Sequence, residues 1–134
     1  MASPVTGRSE ALTDGVRIVV ESRYIPERSS VISRQFLFGY TVTIRNETGE
    51  AVKLLTRHWT ITDAAGGVQR VEWVGVIGET PVIGPGGSHT YSSFCPLRTE
   101  FGTMEGSYGM IRPSGETFRA DVAPFRLVLP SAVN

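Results

Sequence analysis

From Val16 onward the chain alternates apolar and polar residues with a period of two. Val16, Ile18, Val20 and Tyr24 fall on one parity and Arg17, Glu21 and Arg23 on the other, the mark of a half-buried strand. The next run is cleaner. Phe36, Phe38, Tyr40, Val42 and Ile44 alternate with Gly39, Thr41, Thr43 and Arg45 and stop at a turn-forming NETG at 46–49. A third strand is predicted over 53–62, with Leu55, Trp59 and Ile61 on one face and Thr56, His58, Thr60 and Thr62 on the other. A DAAGG segment at 63–67 closes a hairpin, and residues 68–74 return. After a Gly- and Pro-rich loop at 75–87, further strands are predicted at about 89–94, 103–111, 117–120 and 125–129. No window holds helical periodicity for three turns. Seven to nine short antiparallel strands predict an all-β sandwich of the immunoglobulin or fibronectin type III kind. Residues 1–13 are small and polar and read as a loosely held tail, 14–130 as one domain, and 131–134 as a short C-terminal tail.

Composition narrows the class. A chain of 134 residues, 40% hydrophobic and 19% charged, has enough apolar surface for one core without disulfides. Thirteen basic residues balance thirteen acidic ones, so no general attraction to nucleic acid or to anionic membranes is expected. Cys95 is the only cysteine, which rules out an internal disulfide. The N-terminus lacks the apolar core of a signal peptide, and no apolar run approaches the roughly 20 residues of a membrane span. A cytoplasmic protein is expected.

Candidate chemistry is sparse. Residues 75–87 carry five glycines and two prolines, and glycine lets backbone N–H groups approach a phosphate. A dinucleotide fingerprint needs strand, Gly-x-Gly-x-x-Gly, then helix. Here Trp73 stands at the first glycine position and β-prone, proline-bearing sequence follows, so that fold of site is rejected. Gly75 and Gly78 remain as candidate anion contacts, with Arg57 and His58 from the neighbouring strand. Arg57 shares parity with Trp59 and is expected at the core edge, whereas His58 sits among threonines on the solvated face. His58, His89 and Cys95 show no metal-ligand spacing, so neither a metal site nor a cofactor is predicted. Ser92, Ser93 and Cys95 lack the partners of an activated nucleophile, and no carboxylate pair marks a hydrolase. Met104, Tyr108 and Met110 share a parity around Gly106 and read as a core strand, with Gly106 making room for a bulky neighbour such as Trp59.

Taken in order, the segments FLFGYTVTIRNETGE, LLTRHWTITDAAGG, VGVIGETPVIGPGG, HTYSSFCPLRTEFGTMEGSYGM and FRADVAPFRLVLP resemble the ApaG family of small bacterial proteins, over nearly the whole chain from Val16 to Pro130. The resemblance implies a fibronectin type III-like sandwich. It also implies kinship with domains of eukaryotic F-box proteins and of a DNA polymerase delta-interacting protein, where they look like interaction modules. In bacteria the family is associated with cobalt and magnesium resistance, and its glycine loop with pyrophosphate or nucleotide phosphates. Carried onto this sequence, that loop matches at Gly75 and Gly78. The expectation is therefore a non-enzymatic module that binds an unidentified protein partner, with a phosphate sensor using Gly75, Gly78, Arg57 and His58 as the alternative.

Overall fold

The computed structural model describes residues 3–130 and contains nine strands and one short 3-10 turn at Pro26–Arg28. Strands β1 (Val5–Thr13), β2 (Val16–Tyr24), β3 (Phe36–Asn46) and β7 (Ser88–Leu97) form one antiparallel sheet in the order β1-β2-β3-β7. Strands β5 (Val68–Val74), β4 (Val52–Asp63), β8 (Phe101–Ile111) and β9 (Thr117–Val128) form the other, and the two-residue β6 (Val82–Ile83) also pairs with β4. The chain crosses between sheets at β3–β4, β6–β7 and β7–β8. Leaving β1 aside, this is the fibronectin type III-like sandwich the alternation predicts.

The inner faces supply the core. Val16, Ile18, Val20, Phe36, Phe38, Val42 and Ile44 are buried from the first sheet, and Leu54, Trp59, Met104, Tyr108, Met110, Phe125 and Leu127 from the second. Trp59 is 5% exposed and meets Tyr40, Tyr108 and Phe125 edge-on, with ring centroids 5.6, 6.0 and 5.9 Å away. Gly106 lies opposite Trp59 on β8, and a Cβ there would collide with the His58 carbonyl. The glycine therefore lets two backbones close up rather than making room for an indole.

Three expectations change. The tail expected over 1–13 is a strand from Val5 onward, paired with β2 with one register shift between Val5 and Gly7; residues 1–2 and 131–134 lie outside the described part. On β4 the core residue is Leu54, not Leu55, because a bulge between Leu54 and Thr56 inserts Leu55 and switches the parity. The strands expected at 117–120 and 125–129 are one strand, β9, whose register shifts around Pro124.

The two long sides of the sandwich differ. On one, β1 lies against β9. Thr6 Oγ1 donates to the Val128 carbonyl at 2.7 Å, Ser22 Oγ to the Arg126 carbonyl at 2.5 Å, and the Asp121 N–H to Thr13 Oγ1 at 3.2 Å. On the other, β5 and β7 end their sheets, no strand of the described residues lies beyond either, and a cleft lies between them.

Candidate functional site

The glycine loop resolves into turn geometry. Val76 and Glu79 exchange backbone hydrogen bonds of 2.8 and 3.0 Å, and between them Ile77 and Gly78 both take positive φ, 48° and 74°. That is a two-residue type I′ turn, which requires positive φ at both central positions. The Gly75 N–H is held by the Leu55 carbonyl at 2.7 Å, and a Cβ on Gly75 would strike the Glu79 carbonyl. Three of the loop's donors are thus committed to the protein itself. The glycines serve the turn and its seat on β4.

Arg57 and His58 point to opposite faces of β4, and with them the four expected anion contacts divide. His58 is on the outer face with Thr56, where its Nε2 lies 3.0 Å from Thr56 Oγ1 and its Nδ1 3.5 Å from the Glu72 carboxylate. These three side chains, with Trp73 and Val74, line a shallow groove of about 350 Å³. The order carboxylate, imidazole, hydroxyl has the outline of a relay, but Thr56 pairs with Val74 on one side and Gly109 on the other. Its surrounding backbone is used in the sheet, so no pair of donors converges where an oxyanion would form.

Arg57 faces the cleft between β5 and β7, a space of about 240 Å³. Tyr40 and Ser93, cross-strand partners on β3 and β7, stand on its far wall; Trp59 and Cys95 lie deeper, and Gln69 and Val71 of β5 form the near rim. Among the described residues Arg57 has neither an ion pair nor a side-chain hydrogen bond, and no carboxylate lines the cleft. The Trp59 Nε1–H is buried without an acceptor. Behind it the Tyr91 and Tyr108 hydroxyls pair with each other. Burial raises the pKa of Tyr40, Tyr91 and Tyr108, and the positive charge of Arg57 opposes the rise at each. Burial also pushes the Cys95 thiol up to about 11, which keeps it protonated and unreactive at neutral pH.

A further depression of about 440 Å³ lies at one end of the first sheet, where Arg28, Arg34 and Arg98 surround an apolar floor that includes Phe36 and Leu97. The Arg28 guanidinium sits 5.0 Å over the Phe94 ring. Sequence reasoning missed this cluster because its arginines come from two distant segments, the β2–β3 connection and the residue after β7. It also missed that Tyr40, Ser93 and the Trp59 indole line one cleft with Arg57. Their common inward parity was visible, but the register of β3 against β7 was not.

Fold and site together define a class: a two-sheet antiparallel sandwich, closed along one side and open along the other, with a cleft lined by Arg57, Tyr40 and Ser93 at the open side. The match to known proteins is specific. The family model described as the ApaG domain matches residues 26–112. A Protein ApaG from Shewanella sp. (strain MR-4) is 47% identical over 124 residues, covering 92% of this chain and 98% of that protein. One from Azotobacter vinelandii is 47% identical over 119 residues, covering 89% and 94%. The crystal structure of a putative ApaA protein from Bordetella pertussis superposes with a TM-score of 0.84 at 37% identity, over 95% of this chain and 98% of that one. The chain belongs to the ApaG domain family.

Proposed function

We propose that this protein is a non-catalytic binding module that takes an extended segment of a partner polypeptide along the open edge of β5. The observation that carries the reading is the state of that edge. β5 is seven residues long, has no strand of the described residues on its outer side, and exposes Val68, Trp73 (60%) and Val74 (72%). Sandwich proteins ordinarily blunt such an edge with proline, lysine or a covering element. β7 follows that rule by carrying Pro96, whereas β5 has neither proline nor lysine and its two charges, Arg70 and Glu72, are of opposite sign. An uncovered edge bearing aromatic and β-branched residues suits strand addition, where main-chain bonds give affinity and alternate side chains give selectivity.

A catalytic role lacks support, since the one imidazole–hydroxyl pair has no oxyanion donors beside it. The link to cobalt and magnesium resistance fits action through the bound polypeptide: no group of three or more His, Cys, Asp or Glu side chains gathers among the described residues. Among those residues no helix is long and apolar enough to cross a membrane. A cytoplasmic setting accords with the free thiol of Cys95.

The test is selection of linear peptides from a random library on the immobilised protein, followed by amide hydrogen exchange. Selected peptides should protect β5 amides that exchange freely in the protein alone. Peptides that bind without protecting β5, or a library that yields none, would sink the reading.

A second reading keeps phosphate chemistry but moves it. A phosphate-rich anion such as pyrophosphate finds three guanidinium groups at Arg28, Arg34 and Arg98, whereas Gly75 and Gly78 offer it a turn whose donors are mostly spent. Pyrophosphate titration followed by amide shifts separates the two places.

A further inference from the structure

The cleft behind β5 holds three features that its packing does not explain. The first is the guanidinium of half-buried Arg57, with no counter-charge among the described residues, facing the cleft between the two sheets. A cation partly withdrawn from water gains from a charged partner. The second is the Trp59 Nε1–H on a side chain 95% buried by its 5% exposure, lining the same cleft and lacking an acceptor. Native proteins leave few such donors orphaned. The third is the hydroxyl lining, Tyr40 beside Ser93, with no acid among the described residues on any wall. Donors outnumber acceptors, and only one of them is charged.

We propose that the Arg57 cleft is a carboxylate site, which receives an aspartate or glutamate side chain from the strand that docks on β5. This rests on the reading of β5 as a docking edge, whose Gln69 and Val71 form the rim of the cleft. A bound water would satisfy the Trp59 N–H but leave the guanidinium without its charge partner. A carboxylate satisfies both, because its two oxygens match the planar fork of arginine and retain lone pairs for an indole N–H or a hydroxyl. Phosphate suits the cleft less well, since one guanidinium faces up to two negative charges. A strand on the outer side of β5 places alternate side chains toward the inner face of the sheet, the side on which the cleft opens.

The test uses the full chain labelled with nitrogen-15 and reads the two indole N–H signals. Sodium acetate should move the Trp59 signal saturably, beyond any movement in sodium chloride of equal ionic strength, and Trp73, the cross-strand partner of Arg57, reports the mouth of the cleft. Arg57→Gln should abolish the movement. If that variant does not fold, Arg57→Lys, which keeps the charge and loses the fork, should weaken acetate binding several-fold. Peptides selected on the protein should then carry an acidic residue at a fixed place, and lose more than tenfold in affinity to Arg57→Gln but not to Arg70→Gln on the outer face of β5. A Trp59 signal that ignores acetate, or that answers inorganic phosphate and not acetate, overturns the carboxylate site. So do β5-protecting peptides indifferent to Arg57→Gln, although those leave the docking edge standing. Acetate binding in a protein that selects no peptides removes the edge, and with it the proposed source of the carboxylate.

Discussion

The two sides of this sandwich solve the same problem in opposite ways. Each sheet must end somewhere, and its last strand has backbone groups and an inner face to dispose of. On the β1–β9 side the ends are fastened by hydroxyl-to-carbonyl bonds from Thr6 and Ser22, and Gly7 comes so close to the Arg126 carbonyl that a Cβ would not fit. On the β5–β7 side the ends stand apart, and the space holds Arg57 and the unpaired Trp59 N–H. Closure uses small residues, whereas the open side keeps large and charged ones. The difference teaches where to look for binding: the side that the fold leaves open is the one with a cleft, and an indole N–H without an acceptor lines it.

Substitutions should separate the two sides by size of effect. Trp59→Ala removes the wall shared by the cleft and the core and should cost about 3–5 kcal/mol, the range for a large aromatic cut from a packed interior. Urea unfolding measures it, and a cost like that of an exposed residue would show that the indole is not part of the core. On the closed side, Gly7→Ala should cost about 3 kcal/mol, near the top of the overpacking range, because the obstacle is backbone and Ser22 Oγ rather than a movable side chain. If Gly7→Ala proves neutral, the closed side is looser than its hydrogen bonds imply.

Alkaline pH adds a smaller, open-side effect. Cys95 lines the cleft with its pKa raised by burial from 9.0 to about 11, so the fold favours the neutral thiol. The stability this supplies is complete below pH 9 and lost as pH climbs through 11, on the order of 2 kcal/mol. Denaturation midpoints of Cys95→Ala should therefore fall less across that window than those of the unmodified protein. The loss above pH 10 from Tyr91 and Tyr108, whose pKa values are also raised, should persist in both. The smallest change in stability belongs to the edge itself. Trp73→Ser should alter unfolding by no more than about 0.5 kcal/mol, as for an exposed side chain, yet weaken selected peptides more than tenfold, as for an aromatic anchor. Equal loss of stability and binding would mean that Trp73 supports the sheet rather than a partner.

What could be read from the chain follows from how each strand is buried. β2 and β3 present one face to a deep core and show clean alternation. β1 stayed hidden because its inner residues are Gly7, Ser9, Ala11 and Thr13, small enough to let β9 approach and therefore polar in appearance. Leu55 misled for a related reason, since a single inserted residue reverses every later side chain on a strand. Pro96 and Pro124 did carry information: proline within a strand marks a sheet edge or an irregularity, and both stand on end strands.

The sequence by itself determined the all-β sandwich, the core made by its alternating aromatics and aliphatics, and the family, because period-two burial and an ordered set of segments are local properties of a chain. The tertiary structure decided which pairs of edges meet. Arg57 and His58 are neighbours in sequence but part across the plane of a sheet. Arg57, Tyr40 and Ser93 are far apart in sequence and share one cleft, because three strands from two sheets bring them there. Parity assigns a side chain to a face; only the packing of one face on another supplies its company.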